Sequence, residues 1–393
     1  MTTISCFDSI AECGLSVFDS RYTVIKNAQN FKDNPTALLL RSSSLHNIDL
    51  PESLQAIARA GAGVNNIPLE QCTNQGIAVF NTPGANANAV KEIVIASLLL
   101  ASRDLIGGQA WCKEHTANAD IAKEAERCKK HFAGCEIAGK TLGVVGLGAI
   151  GVLVANAAQA LGMTVLGYDP YLSTQNALKL TKELHYMNTL EELFSKSDYI
   201  SLHMPANAHT KGIVSKELIA CMKPNCCLLN FSRDSLVDYG ALKRALEANE
   251  ARKYVCDFAT PETINLPQTI IFPHLGASTQ EAEDNCAFNA ACQLKEYLEQ
   301  GRVVNSVNFP ACNIEDKPEE TVRLIAIINK EAHREEELIQ AHNRVENCHY
   351  RVVRSENDTL IYLVYDIAHD SNYEEFISEL KRLSGLLRLR EIA

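Results

Sequence analysis

The chain has no run of about 18 apolar residues, so no segment is expected to span a membrane as a helix. It also lacks an excess of positive charge. Lys and Arg together number 37 against 48 Asp and Glu, a net charge of -11. That balance argues against a nucleic-acid surface, though a local basic pocket stays open. Fourteen cysteines are present, yet no C-x-x-C occurs among them, which removes the zinc-ribbon and dithiol-redox readings. No metal site is expected. The first residues, Met-Thr-Thr-Ile-Ser-Cys-Phe-Asp, lack the basic and apolar regions of a secretory signal. The cysteines therefore read as reduced, mostly buried small hydrophobes, and the expected compartment is the cytoplasm. There is a single tryptophan, Trp111.

What is present is organised around residues 141–169. Leu142 to Val145 reads as a short buried strand, and Gly146, Gly148 and Gly151 fall in a G-x-G-x-x-G turn. Ala149 to Leu161 has the composition of a helix, and Thr164 to Gly167 is a second strand that delivers Asp169. Gly146 permits the tight turn, Gly148 lets backbone N–H groups approach a pyrophosphate, and Gly151 lets helix and strand pack closely. The helix N-terminus adds partial positive charge for phosphates. Asp169 follows near the spacing of about 20 residues at which a carboxylate accepts from an adenosine ribose and repels a 2′-phosphate. The expected cofactor is NAD, not NADP.

At 393 residues the chain reads as roughly two to three domains. Residues 1–100 look like a smaller α/β unit. Ala37 to Leu40 is a strand ending in Arg41-Ser42-Ser43, Leu54 to Ala58 is helical in pattern, and Ile77 to Phe80 is a strand ending in Asn81-Thr82-Pro83. With the Arg59-to-Asn66 loop between them, these ends suggest one crevice at the carboxyl edge of a parallel sheet. Ala87 to Ile106 is an apolar helix, and the charged segment 107–138 belongs on the surface. After Asp169, strands at 199–203, 228–231, 254–258 and 269–272 alternate with helices, the pattern of a doubly wound parallel sheet. Arg233, Glu262 and His274 each lie just past one of these strands. Ala277 to Gln300 is a long helix, and residues 311–320 read as a linker. Residues 321–393 then follow a ferredoxin-like β-α-β-β-α-β order.

Hydride transfer to a nicotinamide needs a group to take the hydroxyl proton, a carboxylate to hold that group, and a cation for the substrate carboxylate. Histidine suits the first task and a bidentate arginine the last. His274, Glu262 and Arg233 offer this set.

These segments, together with Arg59-Ala60-Gly61-Ala62-Gly63-Val64-Asn65-Asn66, Leu202-His203-Met204-Pro205, Asn230-Phe231-Ser232-Arg233 and Pro273-His274-Leu275-Gly276, resemble the D-2-hydroxyacid dehydrogenase family. The C-terminal segment resembles an ACT domain. The resemblance implies a Rossmann-type cofactor domain (101–284) inserted in a flavodoxin-like substrate domain (1–100, completed by about 285–310), followed by the ACT-like domain. It implies oxidation of 3-phosphoglycerate at the start of serine synthesis, with His274 as acid/base, Glu262 as its partner and Arg233 as carboxylate anchor. Thr82, Gly146, Gly148, Ala149, Ile150, Gly151, Asp169, Met204, Phe231, Ser232, Arg233, Asp257, His274, Gly276 and Ala277 would border the NAD. Arg41, Ser42, Gly61, Ala62, Gly63, Val64 and Asn65 would face the substrate with Arg233 and His274.

The chain departs from the family in two places. Asp234 follows the anchor where the family has glycine, and is expected to face away. The effector loop H-x-N-x-P-G is replaced by Ile327-Ile328-Asn329-Lys330-Glu331-Ala332, which keeps only the asparagine. The module is therefore expected to pair subunits of a homodimer or homotetramer, leaving serine an uncertain effector. A hydroxypyruvate or D-lactate enzyme and an NAD-sensing binding protein of the same fold stay open as alternatives.

Overall fold

The computed structural model describes residues 2–248, 250–345, 348–368 and 372–392. The chain divides into two compact units, one formed by residues 1–86 with 280–393 and the other by residues 87–279.

The first unit opens with a five-stranded, all-parallel sheet of β1 (Thr2–Cys6), β2 (Tyr22–Ile25), β3 (Ala37–Leu40), β4 (Ala56–Arg59) and β5 (Ala78–Phe80), in the order β2-β1-β3-β4-β5. All four residues of β3 are fully buried. A central parallel strand is covered on both faces, which is why it reads as an unbroken apolar run. The same logic corrects the expectation of a helix at 54–58. Ala56-Ile57-Ala58 forms a buried strand paired on both sides. A short apolar run without alternation carries no period to separate strand from helix.

The second unit is built on β6 (Thr141–Val145), β7 (Thr164–Tyr168), β8 (His185–Tyr186), β9 (Tyr199–Leu202), β10 (Cys226–Asn230), β11 (Ala251–Cys256) and β12 (Thr269–Ile271). Every pairing in it is parallel, and the order is β12-β11-β10-β9-β6-β7-β8. Strand order therefore reverses beside β6, the doubly wound arrangement in which ligands bind beyond the carboxyl ends of the strands. The apolar helix at its start ends at Ser102, earlier than the sequence pattern suggested. Asp104 caps a new helix, Leu105–Glu114, by accepting from the Gly107 amide at 3.1 Å. Neither that helix nor the next, Ile121–Cys128, buries a residue.

The chain returns to the first unit with the helix Gln280–Gln300, whose Ala287, Ala290, Ala291, Leu294 and Tyr297 join its core. The final sheet is antiparallel: β13 (Thr321–Asn329), β14 (Tyr350–Glu356), β15 (Leu360–Ala368) and β16 (Leu386–Ile392), ordered β14-β15-β13-β16. β13 is apolar on both faces. Val322, Leu324, Ala326 and Ile328 pack under the helices Glu335–Arg344 and Tyr373–Leu380, whereas Ile325 and Ile327 join the core that holds Tyr297 and Phe309. Arg323, 1% exposed, gives two bonds to Asp366 at 2.6 and 2.8 Å and two more to the carbonyls of Gln300 and Glu315. Arg390 lies over the Tyr297 ring at 4.2 Å. Within 311–320, Cys312 bridges to Val303, and the Ile314 carbonyl accepts from Arg302 at 2.7 Å.

Candidate active site

At the carboxyl edge of the second unit's sheet, β6 runs into the glycine turn. Gly146 has φ +92, and a Cβ there would come 2.6 Å from the His203 carbonyl oxygen. A Cβ on Gly151 would lie 1.9 Å from the Gly146 oxygen, so only glycine allows this approach of helix to strand. A Cβ on Gly148 would meet nothing within 4 Å. Gly148 caps the helix Ala149–Ala160, and no side chain caps its first amides. Ala149 is exposed and Ile150 half-buried on the same turn. Asp169, just beyond β7, accepts from the Leu147 amide and the Tyr171 amide, both at 2.8 Å. The carboxylate thus braces the turn. These features fit a dinucleotide.

The Arg233 loop follows β10. Asn230, fully buried, donates to the Arg233 carbonyl at 2.8 Å and accepts from the Ser232 amide at 3.1 Å. Ser232 donates to the Leu202 carbonyl at 2.7 Å, tying the loop to β9. Arg233 itself is extended and half-buried, and Asp234 beside it is exposed. Phe231 is buried, with its ring 6.2 Å from that of Phe272, and Met204 packs at the edge of the same sheet's core.

His274 sits at φ +59, a conformation that non-glycine residues adopt reluctantly. What enforces it is Asp257, 3% exposed, whose carboxylate accepts from the amides of Leu275 and Gly276, each at 2.6 Å. Burial raises the Asp257 carboxyl above the usual carboxylate range, against the pull of those amides. A Cβ on Gly276 would lie 2.8 Å from Asp257 Oδ2, so the turn also needs that glycine. Half-buried Ala277 follows. The imidazole of His274 is exposed, with the Phe258 ring edge-on at 5.9 Å. Glu262 is exposed at the start of a short 3-10 turn. Among the described residues no hydrogen bond or ion pair joins it to His274. The other histidine at this edge, His203, is unsuited to proton transfer near neutrality. Its Nε2 bonds to Ser201 Oγ at 2.8 Å, and burial pushes its pKa down to about 3.

The first unit gathers its own expected residues at the carboxyl edge of β1–β5. Asp8, which sequence reasoning missed, accepts from the amides of Arg41, Ser42 and Ser43 and from the Ser43 hydroxyl. Burial alone would raise the Asp8 carboxyl, but those donors outweigh it and hold the pKa below its ordinary value. Arg59 Nε donates to the Arg41 carbonyl, and Asn66 donates to the Ser43 carbonyl at 2.7 Å. Asn81 donates to the Ala62 carbonyl, and the amide of Thr82 (1% exposed) to the Gly61 carbonyl. Gly63 and Val64 are half-buried in this loop, and Asn65 is exposed, its carbonyl 2.9 Å from His46 Nε2. The Arg41 guanidinium is not free, because Glu283 pairs with it at 2.8 Å. Asn230 closes the apolar strand β10, a polar residue at a strand end, whereas Asp8 lies two residues past β1 and carries no comparable local signal.

Residues 95–276 match the family described as D-isomer specific 2-hydroxyacid dehydrogenase, NAD binding domain. A D-3-phosphoglycerate dehydrogenase of Mycobacterium tuberculosis is 37% identical over 281 residues, 69% of this chain and 51% of the relative. The D-3-phosphoglycerate dehydrogenase 1 of Saccharomyces cerevisiae is 31% identical over 355 residues, 84% of this chain and 71% of that one. The chain spans about half the length of the mycobacterial relatives it matches. Among solved structures, a NAD+-bound 3-phosphoglycerate dehydrogenase of Entamoeba histolytica aligns with a TM-score of 0.61 at 26% identity, covering 78% of this chain and 98% of that one.

Proposed function

The chain belongs to the D-isomer specific 2-hydroxyacid dehydrogenase family, and from that membership we propose that it oxidises 3-phospho-D-glycerate to 3-phosphohydroxypyruvate with NAD, opening the phosphorylated route to L-serine. The observation that carries this reading is one sheet edge in the second unit. It holds a glycine turn suited to a pyrophosphate, a carboxylate suited to a ribose, an arginine and an exposed histidine. The dinucleotide, once bound, supplies hydride acceptance. The chain supplies the rest. Arg233 fixes the substrate carboxylate through its fork of donors, and His274 takes the proton of the C2 hydroxyl. Glu262 is the carboxylate assigned to orient the imidazole. Met204, Phe231, Ser232, Gly276, Ala277 and Thr82 would border the cofactor.

The test is NADH oxidation over a panel of 2-keto acids, each with and without a 3-phosphate. Phosphohydroxypyruvate should exceed hydroxypyruvate by on the order of tenfold in kcat/KM, about 1.4 kcal/mol. Equal rates would move the chain to the reductases of plain 2-keto acids, a rival favoured by the Arg41–Glu283 pair. No turnover at all would leave a NAD-sensing protein.

Two substitutions sharpen this. Removing Arg41 should cost roughly tenfold more with the phosphorylated substrate than with the plain one, since a guanidinium–phosphate contact is charge-assisted. Equal losses would make Arg41 a loop anchor only. Asp169→Ala removes an ionised acceptor, and losing bonds of about 1.5–3 kcal/mol should raise the KM for NAD roughly 10- to 100-fold while NADP use improves. A parent protein that used both cofactors equally would overturn the assignment.

The cytoplasmic placement rests on fourteen free cysteines, since disulfides belong to oxidising compartments. No helix among the described residues is long and apolar enough to cross a membrane. Assembly as a homodimer or homotetramer is supported by Leu105 and Ile106, each about half exposed on a helix that buries nothing. On this reading the C-terminal loop pairs subunits and does not take serine. The Asn329 side-chain oxygen already accepts from the amides of Glu331 and Ala332.

A further inference from the structure

At the amino ends of the second unit's strands, the opposite edge from the glycine turn, four groups meet that the reaction does not use. Cys135 follows the surface helices and is half-exposed. Arg252, the second residue of β11, points one guanidinium nitrogen at Cys135 Sγ, 3.1 Å away, and another at the Ser102 carbonyl, 2.9 Å away. Tyr199, the first residue of β9 and 2% exposed, places its hydroxyl 3.5 Å from the same sulfur and 2.8 Å from Ser102 Oγ. Among the described residues Arg252 has no carboxylate partner. Of the ionisable groups that act on this guanidinium, Cys135, Cys227 and Tyr199, the Cys135 sulfur is the one it donates a hydrogen bond to among the described residues.

We propose that Cys135 is a reactive cysteine, the site at which a peroxide-class oxidant modifies this protein. The hydrogen-bond ledger accommodates the sulfur anion without moving a heavy atom. With a thiol, S–H donates to the Tyr199 oxygen, Tyr199 donates to Ser102 Oγ, and Ser102 donates to the Leu98 carbonyl at 2.6 Å. With a thiolate, both hydroxyls rotate. Tyr199 then donates to sulfur and Ser102 to Tyr199, while Arg252 donates to sulfur in either state. The charged groups facing the sulfur act in the same sense. Burial raises the Cys135 pKa, but the hydrogen bonds of Tyr199 and Arg252 and the charges of Arg252 and Lys140 outweigh it, so the net shift is downward. The nearby Cys227, by contrast, is pushed up to about 11 by its burial. A thiolate is the nucleophilic form, and a cationic, partly exposed setting is where reactive cysteines are found. In the step itself the thiolate sulfur attacks one oxygen of hydrogen peroxide. The O–O bond breaks, an S–O bond forms, sulfur loses two electrons to the peroxide, and hydroxide leaves, giving the sulfenic acid.

The experiment labels the full chain with limiting iodoacetamide at pH 7 and follows each cysteine by peptide mass spectrometry. Cys135 should react ahead of Cys13 and Cys112, although both of those are exposed. Hydrogen peroxide with dimedone should trap the sulfenic acid at Cys135 first. Arg252→Gln should slow Cys135 labelling about tenfold and move its rate–pH midpoint upward, whereas Arg252→Lys retains most of the rate. Tyr199→Phe, which keeps the ring, should slow it by roughly threefold and serves if the arginine variants do not fold. Dehydrogenase turnover should be unchanged in Cys135→Ser. Labelling of Cys135 no faster than Cys13, or a rate indifferent to both Arg252→Gln and Tyr199→Phe, would overturn the proposal.

Discussion

Replacing His274 by asparagine is expected to lower turnover by about two to four decades, the usual weight of a general acid–base group, while NADH affinity stays within a few-fold. Asparagine is the informative choice because of the backbone. At φ +59 a β-branched or bulky residue would disturb the turn, whereas asparagine tolerates the left-handed region. The amides of Leu275 and Gly276 would still be held by Asp257, so the lost group is the imidazole and little else. No neighbour can stand in for it. His203 is half-buried and neutral near pH 7, with its Nε2 committed to Ser201. Steady-state rates and NADH fluorescence titration together decide the point. Turnover within tenfold of the parent would remove His274 from the chemistry.

The second large effect is on stability. Asp366→Ala leaves the Arg323 guanidinium, 1% exposed, without its carboxylate in the interior of the first unit. Breaking a buried pair from one side typically costs about 3–5 kcal/mol. For a unit of this size that corresponds to a Tm lower by roughly 6–20 °C. The double replacement Arg323→Met with Asp366→Leu should lose much less, because no orphaned charge stays behind. Thermal or urea unfolding of the two variants makes the comparison, and a single variant within about 1 kcal/mol of the parent would refute it. The same contacts bear on truncation. Cutting away 318–393 would uncover Tyr297 and Phe309, which pack against Tyr362 and Ile325, so it would damage the first unit along with any assembly it supports.

The glycine turn was legible in the sequence because its demands are steric and local. A positive φ at Gly146 and a carbonyl pressed against Gly151 leave few residue types to choose from. The doubly wound alternation was legible for a similar reason, since strand and helix periods differ. β4 was misread because three apolar residues, Ala56 to Ala58, are too short a run to show a period. Asp8 escaped notice because its partners, Arg41 to Ser43, are 33–35 positions away. The Arg41–Glu283 pair lies further beyond local reasoning, since it joins residues on opposite sides of the whole second unit in sequence. In β13 a signal was present but ambiguous. Apolar residues on both faces announce cover on both sides without saying what the second cover is.

The interrupted first unit has a consequence for synthesis. Its strands β1–β5 leave the ribosome early, but the helix that fills their core begins only at Gln280. At elongation rates of about 5–20 residues per second, the intervening stretch takes roughly 10–40 s to appear. During that delay the second unit, continuous in sequence, can close on itself. Ala37 and Leu39 wait meanwhile without Ala287, Ala290, Ala291 and Leu294, which complete the cover of their side. That window is when a nascent chain of this design is most exposed to aggregation, and when a holding chaperone has the most to protect.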